Sequence, residues 1–171
     1  YVWCLGNHDA NIRSEDPRRS PKQLRSLFDW NNHFVYGKVF RKFKQIPYIK
    51  DGRGVYRLGQ VGFFHGWDAG VNSDELESLQ MANLTGGQAW RLFVRGHTHR
   101  PTRVTQCLRT KKIPLPWFYA NAGTLGPLKP PYTHRKDTFN WGAGLVIGET
   151  SLSSPRRPSA SEWDAHTEFF K

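Results

Sequence analysis

Cysteine is scarce in this chain of 171 residues: only Cys4 and Cys107 are present. Two cysteines without the spacing of a zinc site make neither a disulfide framework nor a zinc ribbon. Each stands in an apolar or alternating run, where a free thiol packs as a small hydrophobe. A bridge between them stays open on sequence grounds, and free thiols fit a reducing compartment. Long apolar runs are also missing. No stretch approaches the ~18 residues that span a bilayer, and no basic–apolar–small leader precedes the first strand-like segment. The default compartment is therefore the cytoplasm. No methionine opens the chain, which begins directly on strand-like residues, so its beginning is expected to be missing. Internal repeats are absent.

Acidic residues are few, 14 against 25 Lys and Arg, leaving a formal charge of +11. Such a field attracts polyanions: phosphorylated substrates, nucleic acid or an acidic membrane surface. The positive residues are dispersed over Arg18-Arg19, Arg41-Lys42, Lys111-Lys112, Arg135-Lys136 and Arg156-Arg157. That dispersal favours solvated faces over a dedicated nucleic-acid groove.

Residues 10–23 are polar with two prolines and read as a loop, and a short helix is expected over 22–30. Segment 34–43 is ambiguous. Val35, Val39, Phe40 and Phe43 fall near helical spacing opposite Lys38, Arg41, Lys42 and Lys44, as a core-facing element or a membrane-contacting helix would. Residues 47–49 and 55–58 read as a hairpin around the glycine turn 51–54. Further strands are expected over 60–65, 90–95, 103–109, 117–120 and 138–149. A helix is expected from Ser73, as N-cap, to about Asn83, with acidic residues in its first turn. From 150 the composition shifts to Ser, Pro and Arg, and 150–171 reads as a disordered tail behind one domain of residues 1–149. Several strand–strand connections and few helices point to two packed sheets, not a doubly wound parallel fold.

The chemistry-bearing residues follow apolar runs. Gly6-Asn7-His8-Asp9 comes after Tyr1–Leu5, His65-Gly66 after Val61-Gly62-Phe63-Phe64, and Gly96-His97-Thr98-His99-Arg100-Pro101 after Leu92-Phe93-Val94-Arg95. Strand alternation would start His97 and His99 from one side, within reach of one metal cluster. Asn7 offers a neutral carbonyl oxygen to a hard divalent ion. His8 suits either a ligand or a general acid–base role, since its unperturbed pKa is near 6.5. Asp9 can fix the tautomer of an imidazole. A Gly-Asn turn with surface polar residues explains the same tetrapeptide equally well. The three strand ends together supply donors of borderline hardness, suited to manganese, iron or zinc.

In that order, Gly-Asn-His-Asp, a strand-ending His-Gly and Gly-His-Thr-His-Arg-Pro resemble the calcineurin-like metallophosphoesterase superfamily, over roughly residues 1–149. The resemblance implies an α/β fold, a four-layer α/β/β/α sandwich of two mixed sheets, N-terminally incomplete here. It implies two divalent metal ions, manganese above all, with iron or zinc as alternatives. Asn7, His65 and His97 would bind one ion and His99 the other. His8, with Asp9 behind it, would be the catalytic pair that stabilises the phosphoryl transition state or protonates the leaving oxygen. Asn121, in Asn121-Ala122-Gly123-Thr124, and Arg100 would support the site or contact substrate. The implied reaction is hydrolysis of a phosphate mono- or diester by a hydroxide bridging two ions.

The family also carries an Asp-x-His and a Gly-Asp-x-x-Asp, each after its own strand, upstream of its Gly-Asn-His-Asp. Here no residues precede that strand to supply them. The expectation is the C-terminal part of an enzyme, with weak metal binding and little hydrolysis by itself. Within the superfamily, the Arg100-Pro101 pair is similar to small bacterial phosphodiesterases and to UDP-diacylglucosamine hydrolases, the latter suiting membrane-surface contact by 34–44. A nuclease is the alternative that the charge favours. A non-catalytic basic binding module is the alternative of another class, against which the joint presence of Asn7, His8, Asp9, His65, His97 and His99 argues.

Overall fold

A computed structural model describes residues 2–6, 43–84, 91–107, 117–125, 128, 141–150 and 163–170. The expected loop 10–23, the helix 22–30 and nearly all of segment 34–43 lie outside the described residues. Among those described, one helix accompanies a mixed five-stranded sheet and two smaller sheets. The α/β character and the scarcity of helix agree with the sequence. The strands among the described residues form one mixed sheet, one parallel pair and one antiparallel ribbon.

Strand β1 (Val2–Cys4) pairs in parallel with β2 (Lys44–Ile46), and the pairing continues as Leu5 N–H donates to Ile46 O. Strands β3 (Tyr56–Leu58), β4 (Val61–Phe64), β5 (Leu92–Arg95), β6 (Thr102–Cys107) and β7 (Trp117–Asn121) form the main sheet in the order β3-β4-β5-β7-β6. The three central strands β4, β5 and β7 run parallel, and antiparallel β3 and β6 flank them. Parallel neighbours need a crossover, and between β4 and β5 it is supplied by α1 (Ser73–Leu84).

The expected hairpin between 47–49 and 55–58 does not form. Pro47 has no N–H to give a ladder, and residues 52–54 make a 3₁₀ turn capped by the Asp51 side chain, which accepts from Arg53 N–H at 2.8 Å. Strand β3 turns back on β4 instead, through Gly59-Gln60, with Gly59 at φ +56°. A two-residue hairpin connection needs that left-handed glycine.

Alternation sorts the sheet's two faces. Phe64, Phe93 and Trp117 pack with Val55, Cys107, Met81 and Ala82 on the side covered by α1. Val61, Leu92, Val94 and Ala120 pack on the other side, against Val146 and Ala165. The helix buries Ser73, Asp74, Glu77, Ser78, Met81 and Ala82, a stripe at helical spacing that is polar at its first half and apolar at its second. Ser73 is not the cap. It is the first helical residue, nearly inaccessible, and its Oγ has no hydrogen-bond partner.

Residues 150–171 do not behave as a tail throughout. Strand β9 (Trp163–Phe170) pairs antiparallel along its whole length with β8 (Ala143–Thr150). Small inward residues explain why the composition conceals it: Ala165 packs on the sheet and Thr167 Oγ1 donates to Thr102 O at 2.8 Å, while Asp164, His166 and Glu168 are exposed. An apolar cavity of about 250 Å³ remains between the ribbon and β3–β5. Both thiols are free: Cys4 lies in β1 and donates weakly to Phe63 O, and Cys107 is buried in β6. No helix among the described residues is long and apolar enough to cross a membrane.

Candidate metal centre

The parallel arrangement brings the carboxyl ends of β4, β5 and β7 to one edge of the sheet. Phe64, Arg95 and Asn121 lie abreast in register, so His65, Gly96 and Ala122 leave the sheet side by side. In open α/β sheets this edge is where ligands bind. His65 and His97, 32 residues apart in sequence, meet there: His97 Nδ1 is 3.3 Å from His65 Nε2, and the rings stand edge to face with centroids 5.2 Å apart. Tyr48 contacts the other side of His65, also edgewise, at 5.7 Å.

The end of β1 reaches the same place. A Cβ on Gly6 would lie 2.6 Å from His65 Cε1, so only a glycine lets the backbone pass this close to the imidazole. Asn7, the next residue, lies outside the described residues with His8 and Asp9. Among the described residues, no group of three or more His, Cys, Asp and Glu is placed to hold a metal ion.

Strand alternation does not carry through the His-Thr-His segment. Strand β5 ends at Arg95, and His97 and His99 both adopt left-handed backbone conformations, φ +69° and +58°. Non-glycine residues seldom sit there, and such conformations gather at functional sites when the surroundings enforce them. The turn therefore sends its two imidazoles to different neighbours. His97 faces His65, whereas the His99 ring stands edge-on to Trp141 at 4.3 Å and its carbonyl accepts from Gly142 N–H at 2.9 Å.

A buried polar network enforces the turn. Asn121 is inaccessible and shares its Nδ2 hydrogens among Thr98 Oγ1 (2.7 Å), Asp74 Oδ1 (2.9 Å) and Gly96 O (3.1 Å), while its Oδ1 accepts from Gly123 N–H. Arg95, with its side chain wholly buried, donates to Asp74 Oδ1 at 2.8 Å and to Asp68 O at 2.9 Å, and pairs with Glu77 Oε2 at 3.1 Å. Glu77 also accepts from the backbone N–H groups of Trp67 and Asp68. Burial pushes the Arg95 guanidinium down and the Glu77 carboxyl up, each shift opposed by the ion pair between them. Sequence reasoning singled out Asn121 but missed Arg95, Asp74 and Glu77. The available signal was an arginine closing an otherwise apolar strand.

Arg100 takes a supporting position. Its Nη2 donates to Ala69 O and Gly70 O, tying the loop after β4 to the histidine turn. The Asp-x-His spacing recurs at Asp164-Ala165-His166, but in the middle of β9. Asp164 and His166 are exposed there, and His166 pairs with Glu168 at 2.8 Å. That is a solvated strand face, not a strand-end ligand pair.

The donor chemistry fits a divalent ion. Two imidazole nitrogens each ~2.1 Å from one tetrahedral ion stand roughly 3.4 Å apart, close to the separation of His65 Nε2 and His97 Nδ1. The same separation permits a hydrogen bond when one ring carries its proton there. Comparisons with family models, with curated proteins and with solved structures find no match to this chain.

Proposed function

We propose that this chain carries part of a calcineurin-like metallophosphoesterase, with His65 and His97 as ligands of one divalent ion. The observation that carries the reading is the convergence of His65 and His97 at 3.3 Å from adjacent parallel strand ends. The approach of Gly6 to the His65 ring supports Asn7 as the third ligand, and the turn of His99 away from the pair supports its assignment to a second ion. Helix α1, the five-stranded sheet and the β8–β9 ribbon are stacked in that order, as part of a four-layer α/β/β/α sandwich would be.

Bound divalent ions, manganese foremost, supply positive charge against the phosphoryl oxygens and lower the pKa of the attacking water. The protein's residues hold and orient. His65, His97 and Asn7 present donors, and Asn121 and Arg100 brace the turn and loop that carry the histidines. His8, oriented by Asp9, holds the proton that the leaving oxygen needs. The substrate class is a phosphate mono- or diester, to which a chain of charge +11 is electrostatically suited.

The test is titration calorimetry of the chain with Mn²⁺, beside His65→Ala and His97→Ala. Each substitution is expected to weaken binding at least about tenfold, since losing a direct ligand costs no less than losing an outer-sphere partner. Equal affinity in all three proteins overturns the assignment. In a protein completed with upstream Asp-x-His and Gly-Asp-x-x-Asp segments, loss of bis-p-nitrophenyl phosphate hydrolysis on His97→Ala extends the test from binding to reaction.

A further inference from the structure

The two histidine-bearing turns share one buried support, although they belong to different strands. Arg95 reaches the first turn: its Nη2 donates to Asp68 O, and its guanidinium underlies Gly66, the residue after His65. Asn121 reaches the second: its Nδ2 donates to Gly96 O and Thr98 Oγ1, on either side of His97. Both reagents of this support end on the same atom. Asp74 Oδ1 accepts from Arg95 Nη1 at 2.8 Å and from Asn121 Nδ2 at 2.9 Å.

We propose that Asp74 is a positioning residue for the histidine pair, holding the His65 turn and the His97 turn in mutual register through Arg95 and Asn121. The inference rests on the reading of His65 and His97 as ligands of one ion. Its physical basis is that a buried oxygen accepting two hydrogen bonds fixes both donors at once, while the interior admits no water to replace it. A stabilising role alone would not need this arrangement, because apolar residues of similar volume often hold a core as well as a buried ion pair does. What apolar residues cannot do is direct the carbonyl of Gly96 and the hydroxyl of Thr98, and with them the left-handed backbone of His97. Loss of Asp74 leaves Arg95 paired with Glu77, and the turns keep the Gly96 N–H bond to His65 O and the Arg100 bonds to Ala69 O and Gly70 O, while the buried side-chain link between them is gone.

The test uses the full chain with Asp74→Ala, Asp74→Asn and Thr98→Val. One measurement is the nuclear Overhauser contact between the His65 and His97 rings in metal-free protein. The other is Co²⁺ affinity, followed by visible absorption. Asp74→Ala is expected to lose the ring contact and to bind Co²⁺ about 10–100-fold more weakly, the range for outer-sphere partners. Asp74→Asn keeps an oxygen for both donors and is expected to restore the ring contact, with affinity within about threefold of the parent on the same scale. Thr98→Val removes one acceptor at the His97 turn, is expected to weaken the ring contact, and carries the test if Asp74→Ala does not fold. A folded Asp74→Ala, or in its place Thr98→Val, with the parental ring contact overturns the proposal. A parent chain that shows the ring contact but does not bind Co²⁺ overturns the ligand reading instead, and the ring contact in the variants then decides the positioning role.

Discussion

Gly66 lies against the guanidinium of Arg95 with no space for a side chain between them, and its backbone sits at φ +88°. The two residues hold each other. Arg95 cannot easily swing aside, because Asp74, Glu77 and Asp68 O fix its Nη1 and Nη2. Gly66→Ala therefore meets both an unfavourable conformation and an unyielding neighbour. The expected cost is about 1–3 kcal/mol, read as a shift in the urea midpoint with an unchanged slope. A variant as stable as the parent would show that the contact is loose.

Removing Arg95 should cost more than removing a typical core residue. Arg95→Met leaves Asp74 and Glu77 buried without their cation, and losing one partner of a buried pair costs about 3–5 kcal/mol. Adding Glu77→Gln to Arg95→Met removes one uncompensated charge and should return part of that stability. Equilibrium unfolding of the single and double variants checks both statements, and a double variant no better than the single one would refute the charge argument.

Gly6→Ala should act on the site more than on the fold. Its added Cβ would meet Cε1, Nδ1 and Nε2 of His65 within 2.9 Å, so the ring must move. Mn²⁺ binding is expected to weaken about tenfold or more, in line with other changes that misplace a ligand. The melting temperature should change little, because the obstacle is a half-buried imidazole and not backbone. Unchanged metal affinity would separate Gly6 from the site.

The thiols should be inert at neutral pH. Burial pushes the Cys4 thiol up to about 11 and the Cys107 thiol up to about 12, from an ordinary 9.0. The folded protein thus keeps protons that the unfolded chain would release. The stability linked to them is intact below pH 9 and is lost as pH rises toward 11 for Cys4 and 12 for Cys107. Ellman's reagent at pH 8 should label neither cysteine before unfolding and both afterwards, since the thiolate is the reacting form. Rapid labelling of the folded protein would contradict the burial.

The β8–β9 ribbon should matter to stability in proportion to its inward face. Ala165 packs beside Val146 over Val61, Leu92, Val94 and Ala120. Ala165→Asp would place a carboxylate in that apolar layer and should cost about 2 kcal/mol or more, or a melting point lower by roughly 4–8 °C for a chain of this size. His166→Asp, on the exposed face of the same strand, is the control and should leave the melting point nearly unchanged.

Most of the main sheet was legible in the sequence because its strands are short apolar runs closed by glycine, histidine or asparagine. Strands β4, β5 and β7 lie within a residue or two of their expected ends. Helix α1 was legible from its acidic first turn, but its buried face was not. Asp74 and Glu77 are charged residues that ordinarily face water, and Arg95 across the interface, with Asn121 on Asp74 and the Trp67 and Asp68 N–H groups on Glu77, makes their burial tolerable. Strand β9 was missed for a related reason, since alternation with Ala165 and Thr167 inward carries little hydrophobic signal.

The amino-acid sequence by itself singled out His65, His97 and His99 as candidate ligands and set each of them after a strand. It could not determine where those histidines point, because period-two alternation stops where β5 stops. Tertiary structure alone decided that. Parallel pairing set His65 beside the His97 turn, and left-handed backbone at His97 and His99 sent one imidazole to His65 and the other to Trp141. The physical reason is that a strained turn persists only when its neighbours satisfy it. Here those neighbours, Asn121 and Asp74, come from another strand and from the helix.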